Sequence, residues 1–422
     1  MEQQKYSGIE WVGMIPQRWK VAPIGAYFYE VLNKNYDGAV KKALKFTYGN
    51  IVEKNNFDAD SDEYVSSTIR KYTVVEPGTI MLNGLNLNFD FVTQRIGLVN
   101  TKGVITSSYV AFKSINEEYY NSKYANYLFK SYDFCKAFHN MGGGVRKILN
   151  FGELRKQYCV IPPINEQKAI VDFLDNKCSE IDSLVADIKK EISILEEYKK
   201  TVITEAVTKG ITHCVEMKNS PCPWIGAVPS HWVISKLKYK LRRNDVKNRG
   251  NCTVLSLYRE YGVIPKDSRD DNHNVTSEDT SKYKFVRVGD FVINKMKAWQ
   301  GSVAVSSYEG IVSPAYYVYN FTDNSYNKKY FHYLIRSCYK DEFRRLSGGI
   351  REGQWDLPST ALDNVTVLCP PIEEQNKIAE YLDKKTSVIE KTISEKQSQL
   401  EILAEYKKSI IYEYVTGKKE VI

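Results

Sequence analysis

Five short stretches of this chain gather long hydrogen-bond donors beside glycine, asparagine or aromatic residues. In the first half they are NGLNLNFDFVTQR, with Asn83, Asn86, Asn88, Gln94 and Arg95, and MGGGVRK, with Arg146 and Lys147. In the second half LRRNDVKNRG carries Arg242, Arg243, Lys247 and Arg249, NKMKAWQG carries Lys295, Lys297, Trp299 and Gln300, and FRRLSGGIRE carries Arg344, Arg345 and Arg351. The chemistry these types share is polar recognition in turns free to approach a groove. Arg or Lys bonds the guanine edge bidentately and Asn or Gln the adenine edge, whereas Lys against a phosphate positions without reading. The same residue types also make ordinary solvated turns, and Trp299 suits a core as well as a groove.

Motifs for bond breaking are missing. There is no GxxxxGK phosphate loop followed by Ser or Thr, and GGGVRK lacks that spacing. HExxH, GxSxG, a strand-following GxGxxG and an Asn-Pro-Pro-aromatic motif are absent as well. The five histidines fall at no repeated positions, so a duplicated catalytic site is not expected. His213, Cys214 and Cys222 lie close together without a second pair at finger spacing, so no metal site is expected either.

What positions the donor-rich stretches is a duplication. EWVGMIPQRWKV (10–21) returns as PWIGAVPSHWVI (223–234), KYTVVEPGTIMLN (71–83) as KYKFVRVGDFVIN (282–294), and GVITSSYVAF (103–112) as GIVSPAYYVY (310–319). PPINEQKAIVDFLDNK (162–177) returns as PPIEEQNKIAEYLDKK (370–385), followed by LEEYKK and LAEYKK. Each copy begins with about 160 residues of short, β-branched runs bounded by Gly and Asn turns, a mainly β globule with helices. The paired Trp11, Trp19, Trp224 and Trp232 read as structural anchors of these globules.

Each copy ends in a Gly- and Pro-free run that starts just after Pro-Pro, which predicts long helices over 164–210 and 372–418. Leu174, Cys178, Ile181, Val185, Ile188, Ile192, Leu195 and Val202 fall on alternating steps of three and four, with Lys199 the polar exception. The second helix places Leu382, Ile389, Ile393, Leu400, Leu403 and Ile410 on the same lane, with Thr386, Lys396 and Lys407 as exceptions. A lane of period 3.5 predicts a coiled-coil seam. A helix of about 44 residues is a rod on the order of 65 Å, while the link from Gly210 to Pro221 reaches at most roughly 37 Å. The second helix is therefore expected to return beside the first, antiparallel, and the expected fold class is α+β: two similar β-rich globules separated by a two-helix coiled coil, with pseudo-two-fold symmetry. The boundaries this gives are 1–161, 162–214, 215–369 and 370–422.

With 422 residues, 43% of them hydrophobic, two cores are the default. The formal charge of +8 splits into about +5 for 1–161, −3 for 162–214, +7 for 215–369 and −1 for 370–422, so the surplus sits on the globules. That sorting suits contact with phosphates. Eight cysteines without a CxxC or a dense framework suit a reducing cytoplasm, and no apolar run reaches membrane-span length.

The doubled plan, the PPINEQ and PPIEEQ helix starts, LEEYKK and LAEYKK, and the W-x-G-x-x-P-x-x-W openings resemble the specificity subunit of type I restriction–modification systems across essentially the whole chain. The resemblance implies that 1–161 and 215–369 are target recognition domains, each reading half of a bipartite double-stranded DNA site. The helices would set the spacer and dock two methyltransferase subunits, which would use S-adenosylmethionine to methylate adenine. Restriction/motor subunits, with ATP and Mg, would join through them, and this chain would carry no cofactor and no catalytic residue. Because the donor stretches of the two halves differ, the site is expected to be asymmetric. Two other readings stand beside it: a coiled-coil scaffold whose globules bind proteins, and an enzyme acting on nucleic acid.

Overall fold

The structure is a computed structural model, and it describes residues 3–55, 57–58, 61, 63–92, 94–145, 147–212, 214–247, 250, 252–269, 279–349 and 355–421. The chain forms two compact units, one of residues 1–188 with 397–422 and the other of residues 189–396. Each unit therefore takes a globule, part of its own long helix and part of the other. Among the described residues no helix is long and apolar enough to cross a membrane.

In the first unit an antiparallel four-stranded sheet runs in the order Phe28–Glu30, Val110–Ser114, Ile80–Leu82, Ile96–Leu98. Alternate residues feed two different cores. Phe28, Ile80, Leu82, Ile96 and Phe112 pack with helix Ser122–Phe134 and the start of the first long helix, while Met81 and Ala111 join Leu44, Val75 and Ile105 on the other face. A sheet buried on both faces reads as near-continuous apolar runs rather than alternation, as YTVVEPGTIML does.

The second unit repeats this strand for strand. Its sheet runs Leu241–Arg243, Tyr316–Phe321, Phe291–Asn294, Val303–Val305, with Phe291, Ile293 and Tyr319 in one core and Val292, Ala304 and Val318 in another. Outlying pairs correspond too: the hairpin Leu44–Thr47 with Asn50–Glu53 matches Leu255–Tyr258 with Gly262–Pro265, and Thr73–Val75 with Gly103–Ile105 matches Lys284–Val286 with Gly310–Val312. Asn121 and Asn327 cap the equivalent helices, each accepting two backbone N–H bonds.

The two motif families meet inside each unit. At the start of the first long helix (Ile164–Lys209), Glu166 accepts from the buried Trp19 indole at 2.9 Å and from Arg18 at 2.9 and 3.0 Å. At the start of the second (Ile372–Val415), Glu374 pairs with His231, next to the buried Trp232, at 2.9 Å. The neighbouring glutamines are fully buried. Gln167 donates to Tyr119 O and Pro162 O and accepts from Asn121 N; Gln375 donates to Ser325 O and Pro370 O and accepts from Asn327 N. Of the four tryptophans, Trp11 is half-buried edge-on to Tyr132, and Trp224 is on the surface edge-on to Tyr339.

Every lane position on both helices is buried or half-buried. In the first unit Phe173 packs on Tyr414 at 4.4 Å and Asp182 meets Lys407 at 2.6 Å. In the second, Glu191 meets Lys396 and Lys199 meets Glu390. Within each unit, partner numbers fall on one helix as they rise on the other, so the pairing is antiparallel. The lysines that interrupt the lane lay their stems along the seam and carry their ammonium groups out to a carboxylate on the facing helix. Thr386 bonds Leu382 O within its own helix. The last residues of the chain close onto the first unit's opening segment, where Lys418 donates to Val12 O at 2.7 Å and to Met14 O, and Tyr412 donates to Trp11 O. Gly417, at φ +69°, leaves room there for Pro16, whose ring would lie 2.4 Å from a Cβ.

Candidate nucleic-acid interface

In each unit the loop after the strand Ile80–Leu82 or Phe291–Asn294 lies against a hairpin contributed by a distant segment. Asn83 Oδ1 accepts from Leu85 N at 3.3 Å and Asn294 Oδ1 from Met296 N at 3.1 Å, two equivalent Asx turns that start the loops. In the first unit Gly143 and Ile148 exchange backbone bonds to close the hairpin. Leu149 N bonds Gly84 O at 2.9 Å, Leu87 N bonds Lys147 O at 3.2 Å, and the Asn88 amide bonds Val145 O at 3.2 Å. Only glycine fits at position 84, since a Cβ would sit 2.1 Å from Leu149 O. In the second unit Gly348 and Asp356 exchange backbone bonds, Leu357 N bonds Lys295 O at 3.0 Å, and Lys295 Nζ pairs with Asp356 at 3.1 Å. The loop from Asn83 to Asn88 thus lies against Val145 and Lys147–Leu149, and Lys295 of NKMKAWQG meets Asp356 and Leu357.

Arg95 corrects the expectation that it meets a ligand directly. Its side chain is fully buried, with Nη1 donating to Asn83 O and Leu85 O at 3.0 and 2.8 Å and Nη2 to Asp90 O at 2.7 Å. Its backbone N–H donates to the buried Asp133 carboxylate at 2.7 Å. Burial lowers the Arg95 pKa and raises that of Asp133, and the carboxylates of Asp90 and Asp133 oppose the first shift. The guanidinium is a strut that shapes the loop from inside. Arg95→Met takes the guanidinium donors from the half-buried carbonyls of Asn83 and Leu85, at about 1 kcal/mol each, and leaves Asp90 O with His139 Nε2 alone. The expected result is a first unit destabilised by about 2 kcal/mol, which urea unfolding of the variant checks.

Other expected contacts divide into spent and available groups. Asn83 and Asn88 are committed to the loop, Trp299 donates to Met296 O with its ring 5.4 Å from Trp355, and Gln300 accepts from Arg259. Arg345 is held by Glu342 through two bonds of 2.7 Å, and Arg243 is paired with Asp245 while lying 4.9 Å over the Tyr317 ring. Asn86, Gln94, Lys147, Arg242, Lys247, Lys297 and Arg344 are exposed. Arg146, Arg249 and Arg351 lie outside the described residues, as does His213.

Two lysines escape reading by donor-rich turns. Lys284, whose side chain is 12% exposed, lies 5.5 Å over the same Tyr317 ring and donates to Tyr316 O at 2.8 Å; burial lowers its pKa, against the pull of Asp245. Lys34 reaches Ser107 and Thr73 through its ammonium. Residue 34 bridges to Thr73 as Lys247 bridges to Lys284, so the internal repeat held the signal that pointed from Lys247 to Lys34.

The sequence profile of the type I restriction modification DNA specificity domain matches twice, at residues 27–193 and 240–401, well over half of the chain. The chain belongs to this family. It is a type I specificity subunit with two target recognition domains. The MjaVIII specificity subunit of Methanocaldococcus jannaschii is 25% identical over 96% of this chain and 94% of its own length, and the EcoKI specificity subunit of Escherichia coli K12 is 25% identical over 36% of this chain and 30% of its own. Two solved chains share the specificity-subunit fold. One, from a study of complex assembly and conformational transition of the type I R-M system, has a TM-score of 0.71 at 13% identity, covering 96% of this chain and 99% of that one. The other, the HsdS subunit of Thermoanaerobacter tengcongensis, has a TM-score of 0.53 at 16% identity, covering 96% and 98%.

Proposed function

We propose that this specificity subunit reads a bipartite, asymmetric double-stranded DNA site, one half through each loop-and-hairpin pair. Supporting this above all is that the two pairs occupy the same topological place in their units yet differ in chemistry. The first offers Asn86, Gln94 and Lys147 around an apolar tip, the second Met296 and Lys297 beside a tryptophan pair. Equivalent scaffolds with unlike surfaces suit unlike half-sites.

In this reading the paired long helices set the number of bases between the half-sites and dock two methyltransferase subunits. Those subunits supply S-adenosylmethionine-dependent adenine methylation, and restriction/motor subunits using ATP and Mg assemble through them in the cytoplasm. This chain contributes address rather than chemistry. Methylome sequencing of cells with and without the chain tests it: a split adenine-methylated motif present only with the chain is expected, and an identical methylome in both would overturn it. The scaffold alternative is separated by Arg242→Glu with Lys297→Glu, which is expected to abolish methylation of the motif and would leave it intact if the globules bound only proteins.

A further inference from the structure

The tip of the first unit's loop pair is apolar. Phe89, Val92 and Val145 are 76, 91 and 95% exposed. Phe91, 55% exposed, has a support, since its ring stacks on His139 at 4.7 Å and 16°. The platform beneath is rigid. The Arg95 guanidinium takes the carbonyls of residues 83, 85 and 90, His139 Nε2 bonds Asp90 O at 3.0 Å, and Asn88 ties the loop to the carbonyl of Val145 itself. Exposed apolar surface costs on the order of 25 cal/mol per Å², and a pre-organised loop that holds three such side chains in water marks a binding surface.

We propose that Phe89, Val92 and Val145 form an apolar wedge that touches bases in the first half-site; this rests on the DNA-reading function above. Duplex DNA is favoured over a protein occupant by continuity and by the repeat. Gln94 and Lys147, both exposed, flank the tip on the same two segments, and the counterpart loop of the second unit presents Lys297 beside a half-exposed Met296. Apolar side chains meet DNA by packing on the thymine methyl in the major groove or by prying between base steps in the minor groove. Both modes need what the strut supplies, a tip that does not fold back.

The test uses the full chain in complex with its modification subunits, on duplexes carrying its methylated motif. Phe89→Ser combined with Val92→Ser, both fully surface changes, is expected to keep the thermal stability of the complex and lose about fiftyfold in affinity, with the slope of log affinity against log salt unchanged. Mismatches in the second half-site should be penalised as before. Deoxyuridine for thymine in the first half-site should weaken the wild type alone if methyl packing is the mode, and 2-aminopurine fluorescence there should rise with the wild type alone if a step is opened. A specific wild type with an unaffected double variant would overturn the wedge and leave the DNA-reading function standing, as would a variant that fails to assemble while its assembled fraction binds normally, which would make the tip a protein-docking surface. A wild type with no split site would sink both.

Discussion

Replacing Gln375 with leucine is expected to destabilise the second unit by about 4 kcal/mol, combining roughly 1 kcal/mol for each lost hydrogen bond with the cost of burying the partners unpaired. The side chain is fully enclosed and makes three bonds at once: to Ser325 O and Pro370 O at 2.8 Å each, and from Asn327 N at 2.9 Å. Those partners are the turn before the second unit's main helix, the Pro-Pro that starts the long helix, and the residue that caps Lys328–Cys338. One amide therefore fastens the long helix to the globule. Leucine fills the space but leaves Pro370 O and Asn327 N without this partner and Ser325 O with only the Cys369 thiol at 3.8 Å, and glutamate would place an acceptor-only carboxylate against both carbonyls. Gln167→Leu is expected to do the same to the first unit, whose bonds are the same three in kind. Urea unfolding of the single variants checks the magnitude, and equal effects from the two would confirm that the repeat is energetic as well as topological.

Adding one heptad to each long helix, after Ile188 and after Lys396, is expected to change the methylated motif itself. Seven residues at 1.5 Å lengthen a helix by about 10 Å, which matches roughly three base-pair steps of 3.4 Å. The half-sites should stay as they are while the gap between them grows by about three bases. A heptad keeps the lane in phase, so Val185 and Leu195 remain on the seam with their counterparts. A two-residue insertion throws the lane off by about half a turn and is expected to abolish methylation instead. Methylome sequencing reads both results, and an unchanged gap in the heptad variant would show that the helices do not set it.

Much of the scaffold is legible along the chain because the forces that shape it are periodic. The step of three and four from Leu174 to Val202 follows from 3.6 residues per turn, and the burial of each lane position agrees with it. Pro162 and Pro163 forbid a helix upstream, so the helix starts at Ile164. The duplication likewise forces two sheets of one strand order, because equal apolar patterns have equal ways to be buried. The helix ends were less legible. The second stops at Val415 rather than 418, since Gly417 takes the left-handed conformation that lets the chain close on Pro16 and Trp19.

The sequence by itself determined the doubling, the helix starts, the seam and the placing of positive charge on the globules, all of which depend on neighbours or on fixed spacing. Only the tertiary structure decided what each polar side chain does. Arg95 reads as a groove contact until Asn83, Leu85 and Asp90 curl their carbonyls around it, and Asn88 until a hairpin nearly sixty residues away takes its amide. Whether a charged or amide group faces solvent or is consumed within the fold is set by partners that no local pattern announces, because a hydrogen bond needs only a donor and an acceptor to arrive at the same point in space.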